Sequence, residues 1–247
     1  MLSPLTRPDR LSSGSRLATE VRPDRWLAAL LLAALVVGGV LWLDDHGAAD
    51  SIDEVALAGP RGSACLRLVV GNDVSGSMSD FADARESALR DFLSWAPRNL
   101  RDDDELGVVD FAGAAAWTRQ PTPVAEPAVR GAAADVYQGD QTLLAPVLAL
   151  AQALPPSHCR TALLLFSDAQ LADLPQAEQE GRAAVQAAGV HDVVLLVPGE
   201  DIDVPEAWGT SFPAAEPRYF DGLDADETGL TVASVVAELT GQELQRR

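Results

Sequence analysis

Residues 66–81, LRLVVGNDVSGSMSDF, decide the fold. The first half is an apolar run of Leu and Val, the pattern of a strand buried on both faces. The run ends at Gly71, Asn72 and Asp73, and the short loop beyond carries two hydroxyls, Ser75 and Ser77, on either side of Gly76. Then Phe81, Ala84, Ala88, Leu89, Phe92 and Trp95 recur at helical spacing. Ser79 and Asp80 stand where N-cap residues of that helix are expected. A buried strand, a tight polar loop and an amphipathic helix together open an α/β layered structure.

The alternation continues to the C-terminus. ELGVVDFAG (105–113) reads as a strand and AAWTRQ (115–120) as a short return strand before a Pro-rich loop. AVRGAAADVYQ (128–138) reads as a short helix, and TLLAPVLALAQAL (142–154) as a helix that tolerates Pro146 only near its first turn. RTALLLFSD (160–168) is a strand. QAEQEGRAAVQAAG (176–189) is a helix closed by Gly189, and HDVVLLVPG (191–199) is a strand. PRYFDG (217–222) is a last short strand and ETGLTVASVVAELTGQ (227–242) the final helix. Apolar strands separated by helices predict a doubly wound, mostly parallel sheet covered on both faces. In such a sheet the ligand site lies beyond the carboxyl ends of the strands. Asp73 and Asp168 both stand at such ends, so central placement of their strands would bring two carboxylates to one rim.

The chain has 247 residues, enough to bury a sizeable core, and a net charge of −19. All 18 basic residues are Arg, a bias that fits a GC-rich bacterial genome. So acidic a chain repels phosphate backbones, which excludes nucleic acid as an expected partner.

WLAALLLAALVVGGVLWL (26–43) carries no charge. Its 18 residues rise about 27 Å as a helix, close to a bilayer core of roughly 30 Å. Trp26 and Trp42 stand at its two ends, where an aromatic belt places them. Arg7, Arg10, Arg16, Arg22 and Arg25 precede it and DDHGAAD follows. The positive-inside rule therefore puts the N-terminus in the cytoplasm and the rest outside the cell membrane. A cleaved signal peptide is the competing reading, disfavoured by the length of the run and the weak small-residue site after it. The expected organisation is a disordered cytoplasmic tail (1–25), a single transmembrane helix acting as a signal anchor (26–43), a linker (44–62) and one globular domain (63–247).

The loop after Asp73 has the makings of a cation site. In Asp73-x-Ser75-x-Ser77, alternate side chains point to a common centre, and Gly76 permits a tight bend between the serines. Oxygen donors without His or Cys suit a hard divalent ion, Mg²⁺ or Mn²⁺ ahead of Ca²⁺. Any one of these residues alone would more often be a helix cap than a ligand.

The pattern resembles the von Willebrand factor A domain with a metal-ion-dependent adhesion site. That family carries Asp-x-Ser-x-Ser after its first strand, a Thr on a later loop and an Asp after its fourth strand. DVSGSM matches the first with Asp73, Ser75 and Ser77; GDQTLLAPVLALA matches the loop with Thr142; LLLFSDAQ matches the last with Asp168. The resemblance spans roughly residues 63–245. It implies that both serines bind the metal directly and that one or both acids act through water. It also implies that the open coordination position takes a carboxylate from a partner protein. The chain departs from the family in having Asn72, not an apolar residue, before the first Asp, and Asp140-Gln141 where Gly-Gly often precedes the Thr. The family's strand order also makes the strands after Cys65 and Cys159 parallel neighbours, bringing the two cysteines to the amino end of the sheet. A disulfide there suits an extracytoplasmic domain; the alternative is two reduced, buried cysteines acting as small apolar residues.

Catalysis is not the expected role. No Gly-x-Ser-x-Gly elbow surrounds Ser75, and His46, His158 and His191 form no metalloprotease pattern. A metal-dependent phosphatase or nuclease would call for more carboxylates and a basic group for the phosphate. The alternative to metal-dependent binding is a scaffold or regulatory subunit of a membrane complex, its metal structural or absent.

Overall fold

The computed structural model describes residues 49–131, 135–137 and 141–247. The expected tail, the transmembrane helix 26–43 and residues 44–48 of the linker lie outside the described residues. Among those described, no helix is long and apolar enough to cross a membrane.

Strand β2 (Leu66–Asp73) is buried at every position, as its unbroken apolar run requires. It lies at the centre of a six-stranded sheet of order β4-β3-β2-β5-β6-β7. The other members are β3 (Glu105–Phe111), β4 (Ala115–Pro123), β5 (Arg160–Phe166), β6 (Asp192–Val197) and β7 (Arg218–Tyr219). Only β4 runs antiparallel. Helices α1 (Ala82–Trp95) and α5 (Ala225–Thr240) supply one apolar layer: Phe92, Trp95, Val232 and Val236 meet Leu66, Leu68, Val70 and Leu164. On the other face α2 (Ala145–Gln152), α3 (Glu178–Ala187) and the short α4 (Glu206–Ser211) cover Val69, Val109, Leu163 and Leu195. The doubly wound, mostly parallel sheet read from the sequence is present.

Several local readings need correction. The part of the predicted linker that is described is not a linker. A single 3₁₀ turn, Ile52–Glu54, leads into β1 (Val55–Ala58), which pairs antiparallel with β8 (Glu243–Arg246) in a separate two-stranded sheet. Ile52 and Val55 are buried in the layer under α1 and α5, and Trp95 Nε1 donates to the Val55 carbonyl at 2.9 Å. Four residues of Val, Ala and Leu carry too little pattern to announce a strand whose partner lies near the far end of the chain.

The helix predicted at 128–138 is absent from its described residues. Residues 129–131 run beside β4 instead: Gln120 N–H donates to Val129 O and Gly131 N–H to Thr118 O, at 2.9 and 3.0 Å. At these three residues, pairing to a sheet edge overrides local helical preference. The predicted return strand is longer than expected, and neither β8 nor α4 was anticipated.

Cys65 and Cys159 are joined in a disulfide across the amino ends of β2 and β5, with Cα atoms 4.5 Å apart. His158 and His191 are exposed at that same end, away from the opposite rim.

Candidate metal centre

Asp73 is the last residue of β2 and is fully buried. Its two carboxylate oxygens have separate partners. Oδ1 accepts the Ser75 amide at 2.9 Å, which folds the loop back on the strand end. Oδ2 accepts the Ser167 hydroxyl at 2.6 Å. Burial pushes the Asp73 carboxyl above its ordinary range; the Ser167 and Ser75 bonds pull against that, and the charge of Asp168 adds to it.

Ser75 precedes a 3₁₀ turn, Gly76–Phe81, yet its side chain makes no capping bond to it. Its Oγ faces Ser77 Oγ at 3.2 Å. Gly76 does not use its conformational freedom, since its φ is not in the left-handed region. The expected caps Ser79 and Asp80 are not caps either: α1 begins after Phe81 without a side-chain capping bond. Gly71 has the more demanding role. A Cβ there would lie 2.6 Å from Leu165 Cδ2, so β2 and β5 pack closely just before the rim.

The other two predicted residues stand on adjoining loops. Thr142 forms a parallel bridge with Leu171, and its carbonyl accepts the Ala172 amide at 2.9 Å. This links the Thr142 loop to the loop after β5, which carries Asp168. Thr142 does not cap α2; Asp173 does, taking Leu144 N–H and Ala145 N–H on its two oxygens at 2.7 Å each. Asp168 is buried, and its Oδ1 accepts Gln170 N–H at 2.9 Å. Between them Ala169 holds a left-handed φ of 58°, a strained conformation for a residue with a side chain. That turn redirects the chain at the sheet's carboxyl end. The neighbouring Gly139 and Asp140 lie outside the described residues.

Residue-type reasoning missed Ser167, although it stands next to Asp168. A lone Ser at a strand end gives no signal until the partner strand is known.

Whether the donors fit a cation can be tested on the serine pair. Neighbouring ligands in an octahedral shell of about 2.1 Å radius lie roughly 3 Å apart, and the two hydroxyl oxygens are separated by 3.2 Å. Hard oxygen donors beside carboxylates are the donor types that hard divalent cations take. A second group, Cys65, His158 and Cys159, brings metal-ligating types together at the opposite end of the sheet. Its sulfurs are joined in the disulfide and are not thiolates, so it is not a comparable candidate.

No family model and no curated protein matches the sequence. Solved structures do match in shape. Proximal thread matrix protein 1 from the mussel byssus aligns with a TM-score of 0.52 at 12% identity, over 75% of this chain and 49% of that one. The same protein with its metal-ion-dependent adhesion motif occupied by zinc aligns at 0.51 and 12% identity, over 74% and 50%. A von Willebrand factor type A protein from Catenulispora acidiphila aligns at 0.51 and 18% identity, over 78% and 49%. The chain thus spans about half the length of these proteins. At such identities the likeness establishes the fold: it is that of a von Willebrand factor type A domain.

Proposed function

We propose that this protein is a membrane-anchored, extracytoplasmic binding module that recognises a protein partner through a divalent cation. The observation that carries the reading is the Ser75–Ser77 pair: two hydroxyls 3.2 Å apart that cap nothing, beside a buried aspartate at the carboxyl end of the central strand. Ser75 and Ser77 would hold Mg²⁺ or Mn²⁺ directly, Thr142 would complete the protein donors from the adjoining loop, and Asp73 and Asp168 would supply the balancing charge. The bound cation would accept a carboxylate from the partner, which a chain of net charge −19 would otherwise repel. The mussel protein, whose motif is occupied by zinc, supports a divalent ion in a protein of this fold. Binding rather than catalysis is proposed because no Gly-x-Ser-x-Gly elbow surrounds Ser75 and the described histidines, His158 and His191, lie at the opposite end of the sheet. Anchoring rests on the apolar run 26–43 and the arginines before it.

The test is calorimetric titration of Mg²⁺ and Mn²⁺ into the full chain in detergent, beside its Asp73→Ala variant. One saturable site present in the wild type and lost in the variant supports the reading. Equal weak binding by both would be unspecific accumulation on an acidic surface and would sink it.

A further inference from the structure

Beneath the rim, on the face covered by α1, polar side chains stand where the apolar layer should continue. Asn72 of β2 lies beside Asp110 of β3 in register, and Asn72 Nδ2 donates to Asp110 Oδ1 at 2.8 Å. Arg85, in the first turn of α1, is 4% exposed. Its Nη1 donates to the main-chain carbonyl of Asp73 at 2.8 Å. Arg85 Nε and Asn72 Oδ1 are buried and make no hydrogen bond with the described residues.

A guanidinium is a costly group in this place. Burying a charge without a direct ion-pair partner is unfavourable, and an apolar side chain would close the same layer without that cost. Asp73 and Asp110 attract it electrostatically, but neither carboxylate is in ion-pair contact with it. Among the described residues, its one hydrogen bond is to the main chain of Asp73. That carbonyl belongs to the last residue of β2. The carbonyl is also where the chain leaves the sheet for the loop of Ser75 and Ser77.

We propose that Arg85 is a positioning residue for the cation site. It pins the main chain of Asp73 from below, so that the turn presenting Ser75 and Ser77 starts from a fixed point. The Asn72–Asp110 bond ties β2 to β3 alongside and keeps an opposing charge near the guanidinium. This role rests on the metal-dependent reading above. It also explains Asn72, the polar residue standing where the resembling family has an apolar one.

Electrostatics alone and positioning predict opposite signs. A buried positive charge near a cation opposes its binding, so removing it should tighten the complex. If Arg85 positions the loop, removing it should weaken the complex. The experiment measures Mn²⁺ affinity at fixed ionic strength by calorimetry on the full chain in detergent, for the wild type, Arg85→Met and Arg85→Lys. Circular dichroism melting of the cation-free proteins is recorded in parallel. The expected result is Mn²⁺ binding at least tenfold weaker in folded Arg85→Met, with Arg85→Lys between it and the wild type. Unchanged or tighter binding by folded Arg85→Met overturns the inference, because a merely structural arginine would lower the melting temperature and leave the affinity alone. If Arg85→Met does not fold, Arg85→Lys decides: it keeps the charge but lacks the reach of the planar fork. Weaker binding by it supports positioning, and wild-type affinity overturns it. A wild type with no saturable site overturns the metal-dependent reading itself, and the positioning role with it.

Discussion

Ser167 Oγ donates to Asp73 Oδ2 at 2.6 Å, and the two residues stand 94 positions apart in the chain. The bond joins the carboxyl ends of neighbouring parallel strands, β2 and β5, where both are fully buried. The Ser167 hydroxyl also accepts the Ala169 amide at 3.0 Å, so one side chain orients the aspartate and holds the left-handed turn after Asp168.

Ser167→Ala should therefore destabilise the fold by removing both of these hydrogen bonds. A hydrogen bond to a charged group contributes about 1.5–3 kcal/mol, and the carboxylate left behind stays buried. Urea denaturation should show a loss in that range with an unchanged slope. A loss below about 0.5 kcal/mol would mean that water replaces the hydroxyl and that Asp73 is not held as described.

The second prediction concerns Asp104, which has no exposed surface. Arg61 donates to both its oxygens at 2.6 Å, and the Leu66 and Arg101 amides add bonds of 2.7 and 2.8 Å. Removing one partner of a buried pair costs about 3–5 kcal/mol because the other charge is stranded. Asp104→Ala should lose that much stability by denaturant melting; a loss under about 1 kcal/mol would show that Arg61 finds water instead.

Arg61 lies in the stretch read as a linker, and this shows where the sequence stops being legible. Elements with a strong period were readable: the apolar strands, and helices with Phe92 and Trp95 or Val232 and Val236 on one face. So were the residues now gathered at the rim, because Asp73, Ser75 and Ser77 lie within five positions of one another. The pieces that failed draw their stability from distant partners. β1 depends on β8, residues 129–131 depend on β4, and α2 is capped by Asp173 from another loop. Nothing local records those partners. Arg85 looked like an ordinary helix residue for the same reason.

A fragment starting at Ser63 tests the corrected boundary directly. It lacks β1 and the buried side chains of Ile52 and Val55, each contributing about 1.5–3 kcal/mol by burial. It also lacks Arg61, leaving Asp104 without its counter-ion. The fragment should lose cooperative unfolding, or at least about 5 kcal/mol, relative to one starting at Ala49. Equal melting of the two would restore the linker reading.

Acid should weaken a contact between the edge strand β7 and α5. Arg218 donates to both oxygens of Glu238 at 2.7 and 2.6 Å, and that bond holds the Glu238 carboxyl below its usual range. A carboxyl with a depressed folded value contributes stability above its unfolded value, about pH 4.3, and loses it as pH falls through the folded value. Both side chains are partly exposed, so the effect is small. Glu238→Gln should cost a small amount of stability near neutrality, where the pair is formed, and flatten the profile below about pH 4.3, so that it matches the wild type in acid; an unchanged acid limb would show that the pair does not persist in solution.

Removing the disulfide should also cost stability. Cys65 and Cys159 close a loop of 94 residues, and cross-links of that span restrict the unfolded chain strongly. They tie together the amino ends of β2 and β5, while the Ser167–Asp73 bond links the carboxyl ends of the same strands. Reduction, or replacement of both cysteines by Ala, should cost about 2–5 kcal/mol in urea. The rim lies at the opposite end of the strands, and its own hydrogen bonds stay in place in the folded protein. The reduced protein should therefore bind Mn²⁺ with unchanged affinity once its folded fraction is accounted for. Loss of stability together with loss of affinity would mean that the two ends of β2 are coupled, and that the rim is not held by its local contacts alone.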